Sequence, residues 1–188
     1  MRYIGFTLIG LCAALAFNAG AQDSTNAPAT EIENFELQTD TVMVKGFGQT
    51  GSITTDDGVI SVRCKESHDV TSGRKLYGIS IALDSNQVHG FLVVDYDELS
   101  ALINGLNFLG TISYDVTPLP SFDASFTTRS GLRIGAHSER RQGAIELYMN
   151  FSGSAKVTLT SDQFAQLQSL INQAKTSLDA TRSKNSSS

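Results

Sequence analysis

Residues 143–178 constrain the fold more than any other stretch of the chain. The apolar run Ala144-Ile145-Glu146-Leu147-Tyr148-Met149 reads as a strand, and Asn150-Phe151-Ser152-Gly153 reads as the turn after it. Val157 and Leu159 then alternate with Lys156 and Thr158, the period of a half-buried strand. Thr160 and Gln163 fit a capping box, in which each side chain serves the other residue's amide, so a helix should open there. Phe164, Leu167, Ile171, Ala174 and Leu178 fall on one face of that helix, and Gln166, Gln173, Lys175 and Asp179 fall on the other. Burial of a large apolar side chain is worth roughly 1.5–3 kcal/mol. Helix propensity offers only tenths of a kcal/mol per residue. Packing must therefore hold this helix, and the nearest candidate surface is the hairpin just before it.

The same order occurs earlier, over residues 78–109. Ile79, Ile81 and Leu83 share a strand face, Asp84-Ser85-Asn86 turns the chain, and Phe91 to Val94 return. Asp95 and Glu98 repeat the cap spacing, and Leu99, Leu102, Ile103, Leu106 and Leu109 form the helical stripe. A shift of 65 residues lays Gly78 on Gly143, Leu92 on Val157, Leu99 on Phe164 and Leu106 on Ile171. This pattern predicts a tandem duplication, with half-repeats at about 41–110 and 111–181.

Between these units, Val42 and Val44 open a first strand, and Asp57-Gly58 is a hairpin signal. Ile60, Val62 and Cys64 share a second strand's face. Residues 111–116 read as a strand ended by Pro118 and Pro120. Phe122, Ala124 and Phe126 mark another, and Leu132, Ile134 and Ala136 the next. The expected fold class is α+β, a mainly antiparallel sheet structure of about eight strands with two amphipathic helices in one domain. The order is similar in outline to that of the Whirly family, in which four strands and a helix are repeated. That family's lysine-rich nucleic-acid motif has no counterpart here, so the resemblance is one of shape and implies no function.

The ends of the chain speak of location. Arg2, the apolar run from Ile4 to Phe17 and Ala19-Gly20-Ala21 form a signal-peptide pattern over residues 1–21. Leu11 precedes Cys12 where a lipoprotein signal needs a small residue. Cleavage after Ala21 predicts a periplasmic or secreted protein with no membrane span left in it. Loss of Arg2 takes the net charge from −5 to −6, which argues against a nucleic-acid partner. Cys64 is then the one cysteine, so no intrachain disulfide forms, and its strand face makes it a core residue. Residues 22–40, polar and acidic, read as a flexible leader, and residues 182–188 as a disordered tail.

Gly46-Phe47-Gly48-Gln49-Thr50-Gly51 matches the dinucleotide fingerprint, but Ser52-Ile53-Thr54-Thr55 continues as strand where that motif needs a helix. It reads as a glycine-rich hairpin, and no cofactor is expected. Cys64 and His68 would share a strand face roughly 13 Å apart, and neither they nor His89 have metal-ligand spacing, so no metal is assigned. No catalytic constellation stands out, and the carboxylates Asp95, Asp97 and Glu98 are explained as helix caps. The densest chemistry is basic: Arg129, Arg133, His137, Arg140 and Arg141. An exposed strip of these residues would bind carboxylate, phosphate or sulfate through arginine forks. The competing reading pairs them with Glu139, Glu146 or the acidic leader. The function expected is an exported, non-enzymatic binding or interaction protein whose partner is an unknown protein or an anionic ligand. A small secreted hydrolase assembled from distant residues is the alternative. A structural envelope protein pairing through an exposed edge strand is a third.

Overall fold

A computed structural model describes residues 30–85, 89–139, 143–151 and 155–185, with nothing to say of the Glu139 side chain. The signal pattern, Arg140 and Arg141 lie outside the described residues. Two four-stranded antiparallel meanders make the fold. Sheet A runs β1 (Met43–Thr55), β2 (Gly58–Asp69), β3 (Lys75–Asp84), β4 (His89–Asp95), and a single 3-10 turn leads into α2 (Leu99–Gly110). Sheet B runs β5 (Ser121–Thr127), β6 (Arg133–Glu139), β7 (Ala144–Phe151), β8 (Ala155–Leu159), and α3 (Ser161–Asn185) follows. A short helix, α1 (Glu31–Glu36), precedes sheet A. Four strands and then a helix occur twice in succession.

Local signals set many of these boundaries. The Thr160 amide donates to Gln163 Oε1 at 2.8 Å and the Gln163 amide donates to Thr160 Oγ1 at 3.2 Å, so α3 starts at the capping box. Thr55 pairs with Gly58 across the Asp56-Asp57 turn, with Gly58 at φ +146°. Gly46 to Gly51 all lie within β1, where the register slips between Gln49 and Gly51.

Packing departs from the sequence expectation at one point that matters. α3 does not rest on its own hairpin. It lies across β1, β2 and β3 of sheet A and meets its own sheet chiefly at β8, while α2 lies on β5 and β6 of sheet B. Each helix therefore covers the sheet of the other half, and the two helices pack together. Close approaches mark both seams. A Cβ on Gly51 of β1 would stand 2.5 Å from Leu170 of α3, and one on Gly105 of α2 would stand 2.7 Å from the Phe126 ring of β5. Cys64 Sγ donates to the α3 carbonyl of Ala174 at 3.5 Å. The inner faces of both sheets and the apolar stripes of both helices join in one core, with Ile60, Ile81, Ile134, Met149, Leu106 and Leu167 almost wholly buried.

Four other expectations are corrected. Residues 30–37 are not a loose leader: Thr30 and Glu33 form a capping box, and Ile32 and Phe35 are 1% and 3% exposed on the outer face of sheet A. Gly78 makes the room, since a Cβ there would stand 2.6 Å from Ile32 Cδ1. Residues 182–185 are not tail, because α3 continues to Asn185. Asn150 and Phe151 belong to β7 rather than to the turn. Residues 111–116 form a turn and a short 3-10 helix in place of a strand. There, Thr111 Oγ1 donates to Asn107 O and Phe108 O at 3.2 Å, and the Asp115 amide donates to Ser113 Oγ at 3.3 Å. Side chains satisfy this backbone locally, so no ladder is needed. Among the described residues no helix is long and apolar enough to cross a membrane.

Candidate functional site

The basic residues singled out from sequence do not form one strip. Arg129 sits in the β5–β6 loop and points back at the β4–α2 junction of sheet A. Its guanidinium contacts Asp97, lies 3.5 Å from Asp95, and lies 3.2 Å from Glu98 Oε2 without hydrogen-bond alignment, while its amide donates to Glu98 Oε1 at 2.9 Å. Asp97, Glu98 and Asp95 together raise the Arg129 pKa although burial opposes it. The cap reading of Asp95 and Glu98 is thus corrected: neither makes a side-chain cap on its own helix. Asp95 instead accepts from the amides of Glu31 at 2.7 Å and Ile32 at 3.1 Å, anchoring the start of α1. The far end of α1 is held by Glu36, which pairs with Lys45 at 2.6 Å and with the nearly buried Lys65 at 2.8 Å and accepts from Ser67.

Arg133 and His137 share the outer face of sheet B. Arg133 pairs with Asp123 at 2.6 Å and donates to Ser125 Oγ at 2.9 Å. Tyr148 lies between Arg133 and Lys156, 5.9 and 5.2 Å from its ring, and its hydroxyl donates to Asp123 at 2.7 Å. Burial and that bond push the Tyr148 pKa up. Gly135 admits the ring, because a Cβ there would stand 2.6 Å from Tyr148 Cζ. The exposed His137 is in register with Asp123 on one side and Glu146 on the other. Glu146 itself pairs with Lys156 at 2.5 Å. Positive and negative groups alternate across this face.

A cleft of about 160 Å³ opens where α1, β3, β4 and the end of α3 meet, lined by Ile32, Tyr77, Lys75, Asp95, Tyr96 and Arg182 among others. The Arg182 guanidinium lies 3.7 Å above the Tyr96 ring, and the Tyr96 hydroxyl donates to Asp179. Asn185 donates to the Tyr77 hydroxyl at 2.8 Å, and burial raises the Tyr77 pKa. Asp95 is taken by α1 and Arg129, and Lys75 pairs with Glu66 at 3.4 Å. The charges around the cleft are largely spent on the fold, and no histidine lines it.

The turn that leads out of β2 carries a pH-sensitive group. Asp69 accepts from the Ser72 hydroxyl at 2.5 Å, from the Thr41 hydroxyl, and from the amides of Thr71 at 2.8 Å and Ser72 at 3.3 Å. These donors lower its pKa from 3.8 to about 2. Because the folded value is the lower one, the stabilisation is complete above about pH 4 and is lost as the pH falls through 2. Asp69→Asn is therefore expected to lower the melting temperature by a constant amount above pH 5 and by progressively less below pH 3. A gap that does not change with pH would refute this.

Sheet A has an exposed edge along the first half of β1. Sheet A ends at β1, whose residues 44–49 are all exposed, with Val44 at 48% and Phe47 at 54%. The Val70 amide donates to Val42 O at 3.0 Å, so Val42 faces β2. Successive residues of a strand turn their backbone groups to opposite sides. The N–H and C=O groups of Met43, Lys45 and Phe47 consequently face away from β2. β1 meets α3 and β8 as well, with Gly51, beyond Gln49, against Leu170 of α3; at other rims β4 meets β7 and the Thr158 amide of β8 donates to Asp57 at 3.2 Å.

Fold and surface together define an α+β protein of two antiparallel meanders with cross-covering helices and an exposed strand edge at residues 44–49. Neither a family model, nor a curated protein, nor a solved structure matches this chain.

Proposed function

We propose that this chain is an exported, non-enzymatic interaction protein that meets its partner along the free edge of β1. Residues 1–21 support export by their signal pattern. The repeated order of four strands and a helix supports a duplicated origin for the scaffold. The observation that carries the interaction is the exposed edge over residues 44–49. Proteins usually protect such an edge with short strands, proline or free lysines. Here the exposed stretch, residues 44–49, runs up to the register slip, holds no proline, and has its one lysine, Lys45, tied to Glu36 at 2.6 Å. An extended segment laid along this edge gains main-chain hydrogen bonds, and Val44 and Phe47 give it apolar contacts.

Phe47→Pro tests the reading. It removes an amide that faces away from β2, so the sheet keeps its own ladder. The wild-type chain is expected to retain a partner from native envelope extracts that the Phe47→Pro chain loses. Equal recovery by both chains would sink the proposal.

A further inference from the structure

We infer that the partner on this edge is a second copy of the chain, joined about a two-fold axis at Gly46 so that two A sheets become one. The inference rests on the edge being an interaction surface and adds the identity and register of what binds there.

The register follows from three constraints. A two-fold axis perpendicular to the sheet pairs residues of the same face, so outward-facing Met43, Lys45 and Phe47 must pair among themselves or with Gln49. Second, the pairable stretch stops at Gln49, where β1 slips register against β2. Gly46 is the midpoint of residues 43–49, and an axis there uses the whole stretch. Lys45 then faces Phe47 of the other copy, Met43 faces Gln49, and Val44 faces Gly48. Third, the neighbouring centres are worse. An axis at Lys45 opposes the two lysines on one face, which repels. An axis at Phe47 runs the other copy into the register slip.

Side chains agree with the Gly46 centre. The pair on the axis is the narrow, non-hydrogen-bonded kind, with Cα atoms about 4.5 Å apart, and glycine leaves that contact free of side chains. Lys45 and Phe47 lie on the α1 face of sheet A, where Phe47 already has the Lys65 ammonium 5.8 Å from its ring. Across the axis each Phe47 ring receives a second cation from the other copy's Lys45. The bridge from Lys45 to Glu36 holds part of that charge in place.

Register-specific crosslinking tests the inference. In a full-length chain with Cys12 and Cys64 replaced by serine, Gly46→Cys puts two thiols on the axis, within the Cα separation a disulfide spans. A Cβ at position 46 meets only Glu66 Cβ at 3.8 Å, and one at 48 meets only Cys64 Cβ at 3.7 Å, so both positions accept cysteine. In the proposed register, position 48 lies roughly 13 Å from its copy. Gly46→Cys is expected to form a covalent dimer under mild oxidation at least tenfold faster than Gly48→Cys. Sedimentation of the wild-type chain should show a concentration-dependent dimer that Phe47→Pro abolishes. Equal crosslinking rates, or a wild-type monomer at millimolar concentration, overturn the second copy. If a different protein is still captured in a Phe47-dependent way, the edge reading survives without this inference; if capture is also lost, both fall.

Discussion

Cut in the connection between Gly110 and Ser121, the two halves are expected to be unfolded separately and to fold on mixing. The reason is the crossed packing of the helices. Without α3, sheet A leaves the inner-face residues Ile53, Ile60, Val62, Ile79 and Ile81, each 0–1% exposed in the whole chain, without their cover. At roughly 1.5–3 kcal/mol for each side chain the loss is on the order of 10 kcal/mol. A domain has about 5–15 kcal/mol in total. Sheet B without α2 loses the cover of β5 and β6 in the same way. Circular dichroism and amide exchange on residues 30–115, residues 116–185 and their equimolar mixture measure this. Cooperative melting of either fragment alone would show that a half carries its own core, and the account of the packing would fail.

Arg129→Glu is expected to lower stability by about 3 kcal/mol, and Arg133→Glu by about 1 kcal/mol or less. Removing one member of a buried ion pair costs about 3–5 kcal/mol, and exposed pairs are worth about 0–1 kcal/mol. Arg129 is 37% exposed but serves Asp95, a carboxylate 4% exposed, together with Glu98 at 13%. The solvent-facing part of the site reduces the full buried-pair figure. A glutamate at 129 leaves these acids unpaired and adds a fourth negative group beside Asp97. Arg133 and Asp123 are 43% and 44% exposed, and solvent screens their loss. Urea denaturation of both variants settles the order. Equal effects would mean that Arg129 is an ordinary surface residue. The same contrast bears on ligand tests: a loss of binding in Arg129→Glu reports on folding unless Arg133→Glu shows it too.

The hub around Arg129 was only half visible in the sequence. Asp95 and Glu98 have cap spacing, and nothing local says that Asp95 would serve the amides of Glu31 and Ile32, more than 60 residues away. The acidic character of residues 22–40 hid α1, yet the Thr30 to Glu33 capping box, with Ile32 and Phe35 one turn apart, was there to be read. The open edge of β1 was legible as a strand beginning at Val42 and Val44. Its position at the rim of the sheet was not, because strand order depends on contacts that periodicity does not encode.

Sequence by itself determined the α+β class, the antiparallel hairpins, the start of α3 at Thr160 and the side chains on each buried face. Those are short-range matters: period two or 3.6, turn chemistry and capping act within a few residues. Tertiary structure alone decided which sheet each helix covers, where the acids near residue 95 go, and which strand edge stays open. An apolar stripe dictates that something must cover it; which surface does so depends on the packing of the whole chain, where both sheets offer an apolar face to both helices, and here the helices cross to the other half's sheet.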